Sequence, residues 1–184
     1  MARAETKLAR LPGDTRESTA AMIRVDHAGE FGAARIYAGQ LAVMGSRAPG
    51  SAAIARMKQQ EQRHLDVFEQ LIRTRGVRPT LLQPLWSVAG FALGAATALM
   101  GPKAAMACTA AVETEIDIHY QQQRDELAGT DPELEAHIAD FQAEELEHHA
   151  TALAHGAEDA AGYPLLSAVI RAGCRAAIAV TKRI

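Results

Sequence analysis

Four glutamates and two histidines stand at spacings that suit metal chelation. Glu61 is followed by His64, and Glu145 by His148, each pair three residues apart. On an α-helix such a pair points to one side, so one helix can offer a carboxylate and an imidazole to a single ion. Glu30 precedes Glu61 by 31 residues, and Glu113 precedes Glu145 by 32. The unit helix-Glu, turn, helix-ExxH therefore occurs twice. Two facing units place four carboxylates and two imidazoles around one centre. Two carboxylates could bridge two ions and leave each an open position for dioxygen. Two Fe(II) ions carry about four positive charges against about four negative ones, which suits a low-dielectric core.

The register separates these residues from close rivals. Glu115 lies on the Val112 and His119 face, away from Glu113. Glu144 and Glu147 lie off the Phe141 and His148 stripe that carries Glu145, and His149, at i+4 from Glu145, is the hardest to exclude. His27 reads as an outer neighbour of the site or a structural residue. Asp26, one turn before Glu30, could orient a ligand or have a solvated or capping role. A single ExxH on a Glu-rich helix is common and means little. Six such residues on otherwise apolar stripes are different, because a buried unpaired carboxylate costs several kcal/mol.

The elements that must position them read as all-α. The chain holds 39 alanines in 184 residues and is only 4% aromatic, which favours helices over strands. The first helix is expected from Asp14 or Thr15 to about Gly45, with the stripe Ile23, His27, Glu30, Ala34, Tyr37, Leu41 and Met44. Pro49 and Gly50 break it. The second covers Ser51 to Arg75, with Ile54, Met57, Glu61, His64, Phe68 and Leu71 inward, and Gly76 and Pro79 end it. A fourth runs from about Lys103 to Ala128 along Met106, Ala110, Glu113, Ile116 or Asp117, Tyr120 and Leu127. A fifth, capped by Thr130 or Asp131 with Pro132 at its first position, carries Leu134, Ile138, Phe141, Glu145, His148, Ala152 and His155.

Two segments fall outside this pattern. From Pro79 to Pro102 no residue is charged, and Leu81 to Met100 approaches the length that spans a bilayer. Pro84, Gly90 and Gly94 interrupt it, so a segment lying in or on the membrane fits better than a spanning one; a buried hairpin or an oligomer contact is the alternative. From Ala160 to Ile184 there is no acid, while Arg171, Arg175 and Lys182 share one face and Leu166, Ile170, Ala177 and Val180 another, a basic amphipathic helix over 163–184. Residues 1–14 read as a mobile leader with no secretory signal. The whole, 1–184, reads as one domain: a ferritin-like four-helix bundle with two additional membrane-associating helices at 79–102 and 163–184.

Several function classes are excluded. A net charge of −3 and a pI near 6.2 argue against nucleic-acid binding. Cys108 and Cys174 form no CxxC, hence neither a disulfide framework nor a thiolate zinc site. No GxGxxG follows a strand, so there is no Rossmann flavin or nicotinamide site.

Longer stretches carry a resemblance. Residues 26–33 (DHAGEFGA) and 35–40 (RIYAGQ), then 61–64 (EQRH), 107–113 (ACTAAVE), 144–149 (EELEHH) and 172–175 (AGCR), resemble the motifs of the demethoxyubiquinone hydroxylases of ubiquinone biosynthesis. The likeness covers about residue 20 to the C-terminus. It implies a membrane-associated di-iron monooxygenase that hydroxylates the quinone ring of demethoxyubiquinone. It implies two carboxylate-bridged irons on Glu30, Glu61, His64, Glu113, Glu145 and His148, the set the stripes reach independently. It also implies a His119–Tyr120 pair in electron or proton delivery, although Tyr120 could equally be a core residue whose hydroxyl caps a carboxylate. Ile118 and Ala143 depart from the pattern expected of animal relatives. The partners implied are an isoprenoid quinone, dioxygen, an electron donor (NADH or a redox protein) and the cytoplasmic face of a bacterial inner membrane; homo-oligomerisation is left open. A ferritin-like iron-storage or peroxide-detoxifying protein would use the same six ligands, without an apolar segment or a basic tail. A metal-free helical membrane adaptor is a third reading.

Overall fold

The computed structural model describes residues 15–184, so the leader at 1–14 lies outside the described residues. Six α-helices follow: α1 (Thr15–Met44), α2 (Ser51–Arg75), α3 (Gln83–Leu99), α4 (Pro102–Leu127), α5 (Pro132–Ala154) and α6 (Tyr163–Thr181), with a 3₁₀ turn at Ala157–Asp159 before the last. No strand occurs among the described residues.

The punctuation residues set the boundaries. Gly76 ends α2 at a φ of 64°, where a side chain would strain the backbone, and its N–H satisfies Ile72 O. Asp131 caps α5 by accepting from the Leu134 N–H at 3.2 Å, directly before Pro132. Arg75 pairs with Asp131 and Glu133, tying the end of α2 to the start of α5.

Two apolar clusters bracket a polar layer. One gathers Tyr37, Ile54, Met57, Ala107, Ala110 and Ala152. The other gathers Ile23, Phe68, Leu71, Leu127, Ile138 and Phe141. The order in which each helix meets them gives its direction: α1 and α5 run one way, α2 and α4 the other. Between the clusters lie Glu30 on α1, Glu61 and His64 on α2, Glu113 on α4, and Glu145 and His148 on α5.

α3 makes this possible. It runs parallel to α1, with Gly90 beside Gly32 and Arg35, and Gly94 beside Ile36. It thereby carries the chain back, so that α4 starts from the same end as α2. The Gly90-x-x-x-Gly94 spacing lets the backbones approach closely. Trp86, Leu93 and Thr97 are half-buried or buried, whereas Leu85, Val88, Leu99 and Met100 are exposed. The charge-free run is thus a 17-residue helix with one packed face and one free face.

α6 packs on α4 through Leu166, Ile170 and Cys174. The basic face of α6 also serves the bundle. Arg171 Nε and Arg175 Nη1 donate to Glu115 Oε1 at 2.6 and 2.8 Å, and Glu115 is 3% exposed. Two cations of this face, Arg171 and the still exposed Arg175, thus pair with a buried acid, because α6 lies over the α4 face that carries it. His155, the last residue of the α5 stripe, is exposed just beyond the helix end.

Candidate metal centre

The four helical stripes converge on six buried residues. Glu30, Glu61, His64, Glu113, Glu145 and His148 are each at most 2% exposed. Ligand atoms of Glu30, Glu61, His64 and Glu145 all lie within 4.8 Å of one another, and so do those of Glu61, Glu113, Glu145 and His148. Glu61 and Glu145 belong to both groups, while Glu30 and His64 belong only to the first and Glu113 and His148 only to the second.

Both imidazoles present Nδ1 to the centre. His64 Nδ1 is 3.3 Å from Glu30 Oε2 and 3.1 Å from Glu145 Oε1. His148 Nδ1 is 2.9 Å from Glu145 Oε2 and 3.3 Å from Glu61 Oε1. The outer nitrogens are held from behind. His64 Nε2 lies 2.9 Å from Glu144 Oε2, and His148 Nε2 lies 3.1 Å from Gln60 Oε1. Tyrosines hold the terminal carboxylates: Tyr37 donates to Glu113 Oε1 at 2.5 Å, and Tyr120 donates to Glu30 Oε1.

The donor set fits divalent cations. Both oxygens of Glu61, Glu113 Oε2 and Glu145 Oε1 are buried without a well-formed hydrogen bond, although imidazole nitrogens approach Glu145 Oε1 at 3.1 Å and Glu61 Oε1 at 3.3 Å. Oxygens left this way cost free energy unless a cation neutralises them. Burial, followed by repulsion from neighbouring carboxylates, pushes Glu61 and Glu113 well above the usual carboxylate range. Burial also opposes charge on His64 and Glu145, but pairing outweighs it: Glu145 and Glu30 raise His64 to about 10, and His148 and His64 lower Glu145 to about 2.

These shifts predict how the metal-free protein responds to pH. A histidine raised from 6.5 to about 10 contributes stability that is complete below 6.5 and lost as pH climbs through about 10. Glu61 and Glu113 act in the same direction from about 4.5 upward. Glu145, lowered to about 2, costs stability only on acidification. The melting temperature of metal-free protein should therefore fall between pH 6.5 and 9. The increment added by a divalent cation should grow across that interval as it displaces protons. Thermal melts with and without Co(II) check this; an increment that shrinks with rising pH would contradict it.

The rivals fall elsewhere. Glu115 is held by α6, Glu147 is exposed, and His149 is half-buried outside the cluster. Glu144 supports His64 from behind. His27 is buried with Nδ1 unpartnered. Asp26, 2% exposed, binds His119 Nε2 at 3.1 Å and Gln123 Nε2 at 2.7 Å, so it is a buried network residue and not a solvated one. Tyr37 and Tyr120 fill the same role on opposite helices. The signal for both was present as a tyrosine seven residues after the glutamate of α1 and of α4.

Two openings flank the centre. A groove of about 470 Å³ runs between α1, α3, α4 and α6, and its lining is almost wholly apolar, including Ala33, Ile36, Trp86, Leu93, Val112 and Ile170. Gly29 and Val112, the chain neighbours of Glu30 and Glu113, form part of its floor. On the opposite side, between α2 and α5, a polar cleft of about 580 Å³ is lined by Arg56, Gln59, Gln60, Arg63 and His148.

Comparisons with known proteins agree with this chemistry. Residues 17–181 match the family model described as ubiquinone biosynthesis protein COQ7. The chain is 52% identical to the 3-demethoxyubiquinol 3-hydroxylase of Rhodospirillum rubrum over 179 residues, 95% of this chain and 84% of that protein. It is 54% identical over 166 residues to the NADPH-dependent 3-demethoxyubiquinone 3-hydroxylase of Mus musculus, covering 88% of this chain and 76% of the relative. The 5-demethoxyubiquinone hydroxylase of Saccharomyces cerevisiae is 42% identical over 179 residues, covering 89% and 77%. A glutamate- and histidine-lined core beside an apolar groove, in a chain matched over nearly its whole length, places this protein in the COQ7 family of ubiquinone biosynthesis proteins.

Proposed function

We propose that this chain is an oxygen-dependent di-iron monooxygenase that hydroxylates the ring of demethoxyubiquinone, as its quinol, in ubiquinone biosynthesis. The observation that carries the reading is the pair of overlapping four-residue groups of buried glutamates and histidines, with carboxylate oxygens that lack a well-formed hydrogen bond. Glu30 and His64 would hold one iron and Glu113 and His148 the other, with Glu61 and Glu145 bridging. α1, α2, α4 and α5 then form a ferritin-like four-helix bundle within one domain, and α3 and α6 its membrane-associating additions.

The irons, when bound, supply two-electron activation of dioxygen. The protein's part is placement and exclusion of water. Tyr37 and Tyr120 fix the rotamers of Glu113 and Glu30 and keep a proton beside each terminal carboxylate. Tyr120 reaches the centre through Glu30, and His119, its chain neighbour, connects to Asp26 at the edge of the core. This arrangement supports the pair as the route for electrons or protons. The apolar groove suits an isoprenoid quinone: the ring would lie over the α1 and α4 floor and the tail between α3 and α6. Burial behind apolar walls strengthens the electrostatics at the ring and keeps bulk water out. The reductant is a pyridine nucleotide or a redox protein. The NADPH-dependent hydroxylase of Mus musculus, to which the chain is similar, favours the former.

The membrane side of the proposal rests on the free faces of α3 and α6. Leu85 and Val88 are 55% and 70% exposed, and Leu165 and Val169 are 73% and 62% exposed. By length and composition α6 could cross a membrane. Its pairing with buried Glu115 and its packing on α4 support a helix lying along the surface instead. The location would be peripheral, on the cytoplasmic face of a bacterial inner membrane. The triple variant Leu85→Ser, Val88→Ser, Val169→Ser should lower liposome partitioning at least about tenfold, since each change removes roughly 1 kcal/mol or more of buried apolar surface. Unaltered partitioning with intact helicity would defeat the membrane reading.

The decisive experiment loads the protein with Fe(II) and supplies demethoxyubiquinol, reductant and ¹⁸O₂. Mass spectrometry should find one labelled oxygen in the ring. Iron uptake and peroxide consumption with no labelled quinone would favour storage or detoxification instead.

A further inference from the structure

The two halves of the centre are built to one plan. Each terminal glutamate has a tyrosine seven residues later on its own helix, and that tyrosine bonds the terminal glutamate of the other half: Tyr37 to Glu113, Tyr120 to Glu30. The glutamine ten residues after each follows suit. Gln40 donates to Thr109 Oγ1 at 3.4 Å, and Gln123 donates to Asp26 Oδ1 at 2.7 Å. Thr109 and Asp26 each stand four residues before a terminal glutamate. The residue just before each bridging glutamate likewise backs the histidine of the opposite ExxH helix: Gln60 behind His148, Glu144 behind His64.

The plan is broken in one direction. Where the His148 half has Gln60, Thr109 and Ile36, the His64 half has Glu144, Asp26 and His119. Glu144 is also fixed in place. Arg63 Nη2 lies 2.5 Å from its Oε1, leaving Oε2 to face the His64 ring. It therefore cannot enter the metal cluster as a ligand, and it acts only through the imidazole.

We propose that the two metal positions are unequal, and that Glu144, as a positioning residue, makes the Glu30–His64 position the tighter one. This rests on the two-metal reading above. A carboxylate that accepts the outer N–H of a ligating imidazole sets its tautomer and strengthens its inner nitrogen as a donor. The Gln60 carbonyl fixes the tautomer equally well but adds no charge. Histidine orientation is thus common to both halves, and donor strength is not.

The test is a stepwise Co(II) titration of the metal-free full chain, followed by calorimetry and by the cobalt absorption bands. The wild type should fill in two stages. Glu144→Gln keeps the hydrogen bond geometry and removes the charge; it should weaken the tighter stage at least about tenfold and leave the other in place. Gln60→Glu should tighten the weaker stage and narrow the gap, and it carries the test should Glu144→Gln fold poorly by circular dichroism. Two wild-type stages unmoved by either variant, or weakened equally by Glu144→Gln, would overturn the inequality while leaving a two-metal centre standing. A wild-type chain that takes up no Co(II) would overturn the two-metal reading and this proposal with it.

Discussion

Glu61→Gln should abolish hydroxylation and stabilise the metal-free fold at the same time. The two signs come from one cause. Glu61 is completely buried, belongs to both four-residue groups, and has two oxygens without a well-formed hydrogen bond. On the proposed two-metal reading those oxygens would be the shared ligands, so a neutral amide should reduce iron from two per chain to at most one. Activity should fall on the order of 10³-fold or more, as for other residues that act as one unit. Without metal, burial first and then repulsion from Glu145 and Glu30 make a charge on Glu61 unfavourable. Removing that charge at constant shape should raise the stability of metal-free protein by about 1 kcal/mol near pH 8, the usual sign when a functional strain is relieved. Iron analysis, turnover and thermal melts read the three effects. A variant that loses stability as well as activity would make Glu61 an ordinary core residue.

Much of this site is legible in the sequence because helices translate spacing into direction. A period of 3.6 residues puts Glu30 between Ile23 and Tyr37, and Glu145 between Phe141 and His148. The two apolar clusters on either side of the centre are those stripes seen end-on. Gly76 and Pro132 likewise fix α2 and α5 to within a residue. What periodicity cannot supply is which face meets which. Glu115 sits on the correct side of α4 for a neighbour, but only the docking of α6 shows that Arg171 and Arg175 reach it. Glu144 lies off the metal stripe of its own helix, yet it is aimed at the metal stripe of α2. Its role depends on two helices being side by side, and no pattern within α5 reveals it. Asp26 and His119 are 93 residues apart and meet for the same reason.

The charge-free segment shows the limit most clearly. Hydropathy alone marks residues 79–102 for a membrane, and the exposed Leu85 and Val88 agree with that reading. The glycines, however, face inward. Gly94 lies against the backbone of Ile36 and Gly39 against that of Phe91, so neither position has room for a Cβ. α3 is therefore two things at once: a wall of the apolar groove fastened to the helix that carries Glu30, and a free surface on its other side.

This contact gives the largest expected loss of stability. Gly94→Ala should destabilise the protein by about 3 kcal/mol, the upper end of the range for overpacking. The obstructing atoms are main-chain carbonyl, carbonyl carbon and Cα of Ile36, which cannot rotate aside, so α3 must move away from α1. The gain of about 1 kcal/mol in helix propensity that Ala normally brings acts in the opposite sense and is outweighed. Gly29→Ala on α1 supplies the contrast, because an added Cβ there meets nothing within 4 Å. That variant should gain up to about 1 kcal/mol from propensity alone. Displacing α3 also opens the groove beside Ile36 and Trp86, so Gly94→Ala should lose turnover of long-tailed quinol while retaining both metal ions, since none of the six proposed ligands lies on α3. Urea midpoints for both variants, with iron content and quinol turnover, test the argument. Equal midpoints for Gly94→Ala and Gly29→Ala would mean that α3 is not held against α1 in this way.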